Sequence, residues 1–254
     1  MSTARVPLVV SGALATVALG AVAATGAVAP GTPGKDVTRG LDNDDASNTF
    51  IQPPGVAAKQ HMDKTDVIFG RGGQDLLQGN LGSDTIVGGR GADIMIGGPE
   101  KFRAPNSDVL LGDEGNDINI WAPGDGSDAY VGDKGSKDAM VFAPFVLRAD
   151  GSIKTERFQG RRIPRVDISD KPAFSCTIVP VPASEKLGEQ FLVRFNVNGS
   201  PAVTVRQKDV ERVLCPSPYP GRLRWADLTK PNPVFTSVRL TDVPGDLGAI
   251  VARP

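Results

Sequence analysis

Histidine is nearly missing from this sequence: His61 is the only one in 254 residues. A zinc protease centre or a serine triad needs histidine, and neither H-E-x-x-H nor G-x-S-x-G occurs. No phosphate-cradling P-loop motif is present either. Cysteine is limited to Cys176 and Cys215, too few for a four-thiolate zinc site. Aromatic residues make up 6% of the chain. Its two tryptophans, Trp121 and Trp225, are more simply read as packing residues than as sugar-stacking platforms. These absences leave one hydrolytic route that no motif fixes, a pair of carboxylates. Long apolar runs are also missing beyond the first 29 residues.

What the chain has instead is a spaced row of acids. Asp66, Asp75, Asp84, Asp93, Asp108, Asp117, Asp128 and Asp138 recur at a near-constant step, and the first four are nine residues apart. Three units run without a gap, from Gly70 to Gln78, Gly79 to Val87 and Gly88 to Ile96. Each reads as a glycine-rich six-residue turn followed by a three-residue strand. Glycine suits such a turn because it reaches φ > 0 at little cost. In a strand so short one side chain points inward, at the eighth position. Those residues are Ile68, Leu77, Ile86, Met95, Leu110, Tyr130 and Met140, with Asn119 as the polar exception. A fixed period of this kind specifies a solenoid. The fold class expected is all-β, a parallel β-roll followed by a β-rich C-terminal region.

This grammar resembles the G-G-x-G-x-D-x-U-x nonapeptide of the repeats-in-toxin (hemolysin-type) calcium-binding family. The resemblance covers roughly residues 61–141. It implies coils of two nonapeptides and calcium ions (Ca2+) held between stacked turns by aspartates and backbone carbonyls. One edge of the roll then pairs Asp66 with Asp84, followed by Asp108. The other pairs Asp75 with Asp93, and Asp93 with Asp117. Departures are visible. Asp93 to Asp108 is a step of fifteen, implying an insertion near Pro99 to Asn106, and the steps to Asp128 and Asp138 are eleven and ten. In relatives of this kind the roll often follows a catalytic domain, whereas here only a short stretch precedes it, so no enzymatic activity is carried over.

Physical reasons support a cation independently. Rows of carboxylates at the ~4.8 Å strand spacing of a β-structure repel unless neutralised. Residues 61–141 carry 14 acids against 7 bases, while residues 142–254 carry 11 against 17. The alternative is a metal-free solenoid whose aspartates make Asx-turns. Asn or Ser would serve such turns equally well, yet all eight positions are charged. Asp113, Asp125 and Asp133 also fall in turns, with a solvated role as open as a ligating one. The acids at 42, 44 and 45 lack the spacing of an EF-hand and read as linker.

Around the roll, residues 1–29 read as a signal peptide, with Met1 to Arg5 basic, Val6 to Ala29 apolar, and small residues offering several cleavage registers. A membrane anchor is the other reading of that run. Residues 30–60 read as a linker and an N-terminal cap for the roll, with Phe50, Ile51 and Val56 covering its open end. Residues 61–143 hold the repeats. Residues 144–254 are an independent domain or a cap, with a hairpin expected around Asn198-Gly199 and further strands at 175–181, 210–214 and 234–240. Cys176 and Cys215, in a chain read as exported, are expected to form a disulfide.

The function expected is a secreted, extracellular calcium-binding module without catalysis, whose folding depends on calcium, with calcium ions and an unidentified cell-surface or extracellular molecule as partners. Neither nucleic acid nor stable membrane insertion is expected. The alternative is a small secreted hydrolase with its site in residues 145–254, or an anion-binding surface built on Arg161, Arg162, Arg165, Arg222 and Arg224.

Overall fold

The structure is a computed structural model that describes residues 28–30, 37–39, 67–79, 82–98, 107–159, 161–182, 184, 188 and 190–251. Asp66, His61, the acids at 42–45 and the expected cap around Phe50 to Val56 lie outside these residues.

Strands come in pairs, one pair per coil. They are β1 (Val28–Pro30) and β2 (Val37–Arg39), β3 (Val67–Gly72) and β4 (Leu76–Gln78), β5 (Thr85–Arg90) and β6 (Ile94–Ile96), β7 (Val109–Glu114) and β8 (Ile118–Trp121), and β9 (Ala129–Val131) and β10 (Ala139–Phe142). Odd strands stack in one parallel sheet and even strands in another. This is the expected roll: all-β, parallel and two-sheeted. On the odd side β3, β5 and β7 are longer than the expected three residues, because each runs six residues into the turn.

The inward row is as the period predicts. Ile68, Leu77, Ile86, Met95, Leu110, Tyr130 and Met140 are fully buried in one core. Asn119 also points inward and is buried, and its amide has no hydrogen-bond partner among the described residues. Glycine at the fourth turn position is fixed by two constraints, seen at Gly91. Its φ is +133°, and a Cβ there would collide with the carbonyl of Gly73 in the coil before.

Residues beyond 143 do not simply follow the roll; they complete it. A hairpin of β11 (Thr155–Phe158) and β12 (Arg161–Pro164) comes first, then β13 (Phe174–Pro180), β14 (Phe191–Val197) and β15 (Ser200–Lys208). The β14–β15 turn is the expected one, with Asn198 and Gly199 both at positive φ, 50° and 80°. The end of β15 pairs in parallel with β9, and β16 (Arg212–Cys215) pairs in parallel with β10. Residues 206–215 are therefore one more coil. Antiparallel β13–β14–β15 extends the odd sheet, and β17 (Arg222–Asp227) and β18 (Thr236–Arg239) extend the even one.

The interior of the roll thus merges with the space between these sheet extensions. Trp121, Phe142, Phe174 and Phe195 fill the junction, with Trp121 and Phe195 ring centres 4.7 Å apart. The Cys176–Cys215 disulfide forms across it, tying β13 of one sheet to β16 of the other. A second core lies on the outside of the even sheet. Ile94, Ile96, Ile118, Ile120 and Val141 face outward there and are covered by Ile153, Ile163, Val166 and the short helix α1 (Gly245–Ile250) with its flanks. That explains strands such as Ile94-Met95-Ile96 that are apolar on both faces, since both faces are buried. Among the described residues no helix is long and apolar enough to cross a membrane.

Candidate metal centre

The turns stack on two edges, and the aspartates stack with them. One edge carries Asp75, Asp93, Asp117 and Asp138, the other Asp84, Asp108 and Asp128. These are the two rows the nonapeptide phase sets out. All seven side chains are buried.

A repeated hydrogen bond builds each row. The N–H of Asp75 donates to Oδ1 of Asp93 at 2.8 Å, that of Asp93 to Asp117 at 2.7 Å, and that of Asp117 to Asp138 at 2.6 Å. On the other edge Asp84 donates to Asp108 at 2.7 Å and Asp108 to Asp128 at 2.9 Å. The carbonyl of each aspartate accepts an N–H from the strand that opens the next coil. The carboxylates of Asp93, Asp108, Asp117, Asp128 and Asp138 are thereby aimed back toward the preceding turn. A polar turn residue would satisfy one donor in this way. It does not account for the second oxygen.

In Asp108 and Asp138 that second oxygen, Oδ2, is buried and has no hydrogen-bond partner among the described residues. A buried acceptor left bare costs about 1–3 kcal/mol, and a charged one more. Burial pushes the Asp108 carboxyl from its ordinary 3.8 to about 7, against the pull of the Asp84 N–H. Burial does the same to Asp138, which also reaches about 7. There the Asp117 N–H and Arg212 pull down while neighbouring Glu211 pushes up. Both oxygens lie where a glycine leaves room: a Cβ on Gly97 would strike Asp108 Oδ2, and one on Gly135 would strike Asp138 Oδ2. Buried, acceptor-only oxygens in a glycine-lined cradle fit a hard cation, which takes oxygen ligands and little else.

Three acids outside the row have distinct places. Asp125 is buried and forms a cluster with Asp108 and Asp128, one oxygen of each lying within 4.8 Å of the others. Asp113 and Asp133 instead occupy the second turn position with φ of 71° and 64°. Burial and then the charge of Asp133 hold the Asp113 carboxyl above its ordinary range. Outside them an ion-pair ladder runs along the edge, Arg90 to Glu114 at 3.7 Å and Glu114 to Lys134 at 3.2 Å.

One residue of the row escapes the sequence period altogether. Glu211 accepts the N–H of Asp138 on Oε2 at 2.7 Å, the bond every earlier turn gives to an aspartate. Its signal in the sequence is slight: an acid just before an apolar strand, without a glycine turn. Of the arginines considered for an anionic partner, Arg165 pairs with Glu156 at 2.6 Å and Arg222 donates to Ser237 Oγ at 2.7 Å.

A parallel two-sheet roll with stacked acidic turns defines the class, a metal-binding β-roll. Residues 63–99 match the family model described as RTX calcium-binding nonapeptide repeat (4 copies). Fold and match together make this part of the chain a calcium-binding β-roll module. No curated protein matches the chain. The matched stretch ends before Asp108, yet the same turn geometry continues through Asp138 to Glu211.

Proposed function

We propose that this is a secreted, non-catalytic calcium-binding protein whose roll folds with its calcium and serves as a structural or interaction module outside the cell. The carrying observation is the bare, buried Oδ2 of Asp108 and of Asp138 in glycine-lined cradles. Calcium supplies charge neutralisation; the chain supplies the stacked carboxylates and holds them rigid through the N–H to Oδ1 ladder. Ion binding then appears as folding stability. Extracellular calcium modules work with weak sites, about 10⁻⁴–10⁻³ M in dissociation constant, which suits export. A disulfide and the apolar N-terminus support the same location. β1 begins at Val28 and pairs with β3, so a leader taken as residues 1–29 overlaps this strand, and a cut before Val28 would keep the β1–β3 pairing.

The hydrolase alternative requires convergent carboxylates or a serine with a base in a pocket of the C-terminal region. The cavity beside β12 and α1 contains Glu156, already paired with Arg165. The one beside β16 contains Asp209 and Glu211. Gln190 donates to the first of these, and the Asp138 N–H to the second. These engagements favour the binding reading.

Calorimetric titration of metal-stripped protein with calcium, alongside circular dichroism, tests the proposal. Uptake of several ions with a gain of β-signal and of melting temperature is expected. No uptake, with an unchanged melting curve, would refute it.

A further inference from the structure

The regular coil offers a cation one carboxylate from each of two stacked turns. At one place the chain offers a third. The turn from Ala122 to Asp128 is longer than the nonapeptide allows, since Asp117 to Asp128 is a step of eleven. The N–H of Asp125 donates to the carbonyl of Ala122 at 3.0 Å, around Gly124 at φ +108°. This buries Asp125 at 5% exposure. The loop is pinned from the core side by Trp121, whose Nε1 donates to the carbonyl of Gly126 at 2.9 Å.

Asp125 meets two acids of the row there. Its Oδ2 accepts the Gly98 N–H at 3.3 Å and its Oδ1 that of Gly126 at 3.2 Å. Asp128 Oδ1 accepts from Asp108, and Asp108 Oδ1 accepts from Asp84. Asp108 is 1% exposed, and its Oδ2 has no hydrogen-bond partner among the described residues; it lies over Gly97, next to the glycine that Asp125 contacts. Oxygens of all three carboxylates fall within 4.8 Å of one another.

We propose that Asp108, Asp125 and Asp128 form a three-carboxylate calcium site that fills before the two-carboxylate positions of the roll. The inference rests on the reading of the roll as calcium-binding. An all-oxygen donor set selects a hard cation, and in calcium sites affinity follows the number of charged ligands and the rigidity of the loop. Both favour this position: Asp125 adds a charge, and Trp121 holds the loop.

The test uses the full chain, stripped of metal and titrated with terbium as a calcium probe, with tryptophan excitation and terbium emission as the signal. Calcium titration by calorimetry runs in parallel. Wild type is expected to give sensitised emission from its first equivalents, because Trp121 belongs to the loop. Asp125→Asn keeps the size and an acceptor. It is expected to weaken the tightest calcium step by about tenfold or more and to move the emission to higher terbium. Trp121→Phe removes the Nε1 bond to Gly126; it is expected to lose the early emission and to weaken the tightest calcium step less than Asp125→Asn does. Equal affinity and equal early emission in Asp125→Asn would overturn the site while leaving the general reading intact. So would early emission that survives in Trp121→Phe. A wild type that takes up neither ion would overturn both. If Asp125→Asn does not fold, the Trp121→Phe result still decides.

Discussion

The main-chain N–H of Asp138 donates to the carboxylate of Glu211 across 73 residues of sequence. Between them the chain leaves the roll, builds the β11–β12 and β13–β14 pairs, and returns on β15 and β16 to lay down the last coil. Arg206 N–H donates to the Asp128 carbonyl and Arg212 N–H to that of Asp138, repeating the ladder of every earlier coil. The final turn therefore belongs to the roll in geometry, though not in sequence.

Removing Glu211 should tell whether that turn matters. In Glu211→Ala the Asp138 N–H loses its acceptor in a largely closed site, a loss of about 1–3 kcal/mol. Glu211→Gln keeps an acceptor and removes the charge, so it should lose less stability but weaken calcium uptake near Asp138. Urea midpoints at saturating calcium separate the two. Equal midpoints for wild type and Glu211→Ala would show that the turn is an ornament of the fold.

Gly91→Ala should be far more damaging than its single methyl suggests. The left-handed backbone costs a non-glycine residue about 1–3 kcal/mol when imposed, and the added carbon runs into the Gly73 carbonyl. The coils must part to admit it. Substituting the exposed Gly151, also at positive φ but with nothing near its missing Cβ, supplies the control. Thermal melts in calcium should show a large drop for the first and a small one for the second.

How much of this was legible beforehand depends on which force set each feature. The period of nine is written in the turns themselves, so the roll, its two acidic edges and the inward row from Ile68 to Met140 follow from local chemistry. The hairpin at Asn198-Gly199 is equally local. Glu211 is not, because its place comes from strand pairing with β10 and no glycine turn announces it. For Asp125 the sequence leaves solvent and ligand equally open, since only the closure of the Ala122 to Asp128 loop decides its burial. The outward isoleucines of β6 and β8 carried a signal that periodicity alone could not interpret. A strand apolar on both faces needs a covering layer, and that layer comes from residues as distant as Val251.

Acidity should act on the metal-free protein in an unusual direction. Most carboxylates favour the native state when ionised, but here Asp108 and Asp138 are raised to about 7. Between roughly pH 4 and 7 the folded chain keeps protons that the unfolded chain releases, so its stability falls as pH rises through that window. The stabilising contribution is complete below about pH 4 and lost above about pH 7. Calcium must displace the same protons, so its apparent affinity should rise over that range. Urea melts of stripped protein near pH 5 and 8, with calcium titrations at both, check the two opposite trends. A stripped protein more stable at the higher pH would contradict the burial argument.

Chelation should reach beyond the repeats. The change of texture from Pro144 onward suggests a C-terminal unit that survives loss of the roll, but β9 carries β15 and β10 carries β16 in unbroken sheets. The shared core around Trp121, Phe142 and Phe195 spans the same junction. Loss of the coils would therefore expose that core and strip the C-terminal strands of their parallel partners. The disulfide works against this from the far side: its two cysteines are 39 residues apart, a closure of about 4 kcal/mol in the chain-entropy model. Oxidised protein without calcium should melt early but in one transition, with tryptophan fluorescence and far-ultraviolet dichroism coincident. The Cys176→Ser, Cys215→Ser double variant should melt earlier still and retain the single transition. Two separated transitions, the upper one insensitive to calcium, would mean that the sheets are continuous in form while the two halves unfold independently.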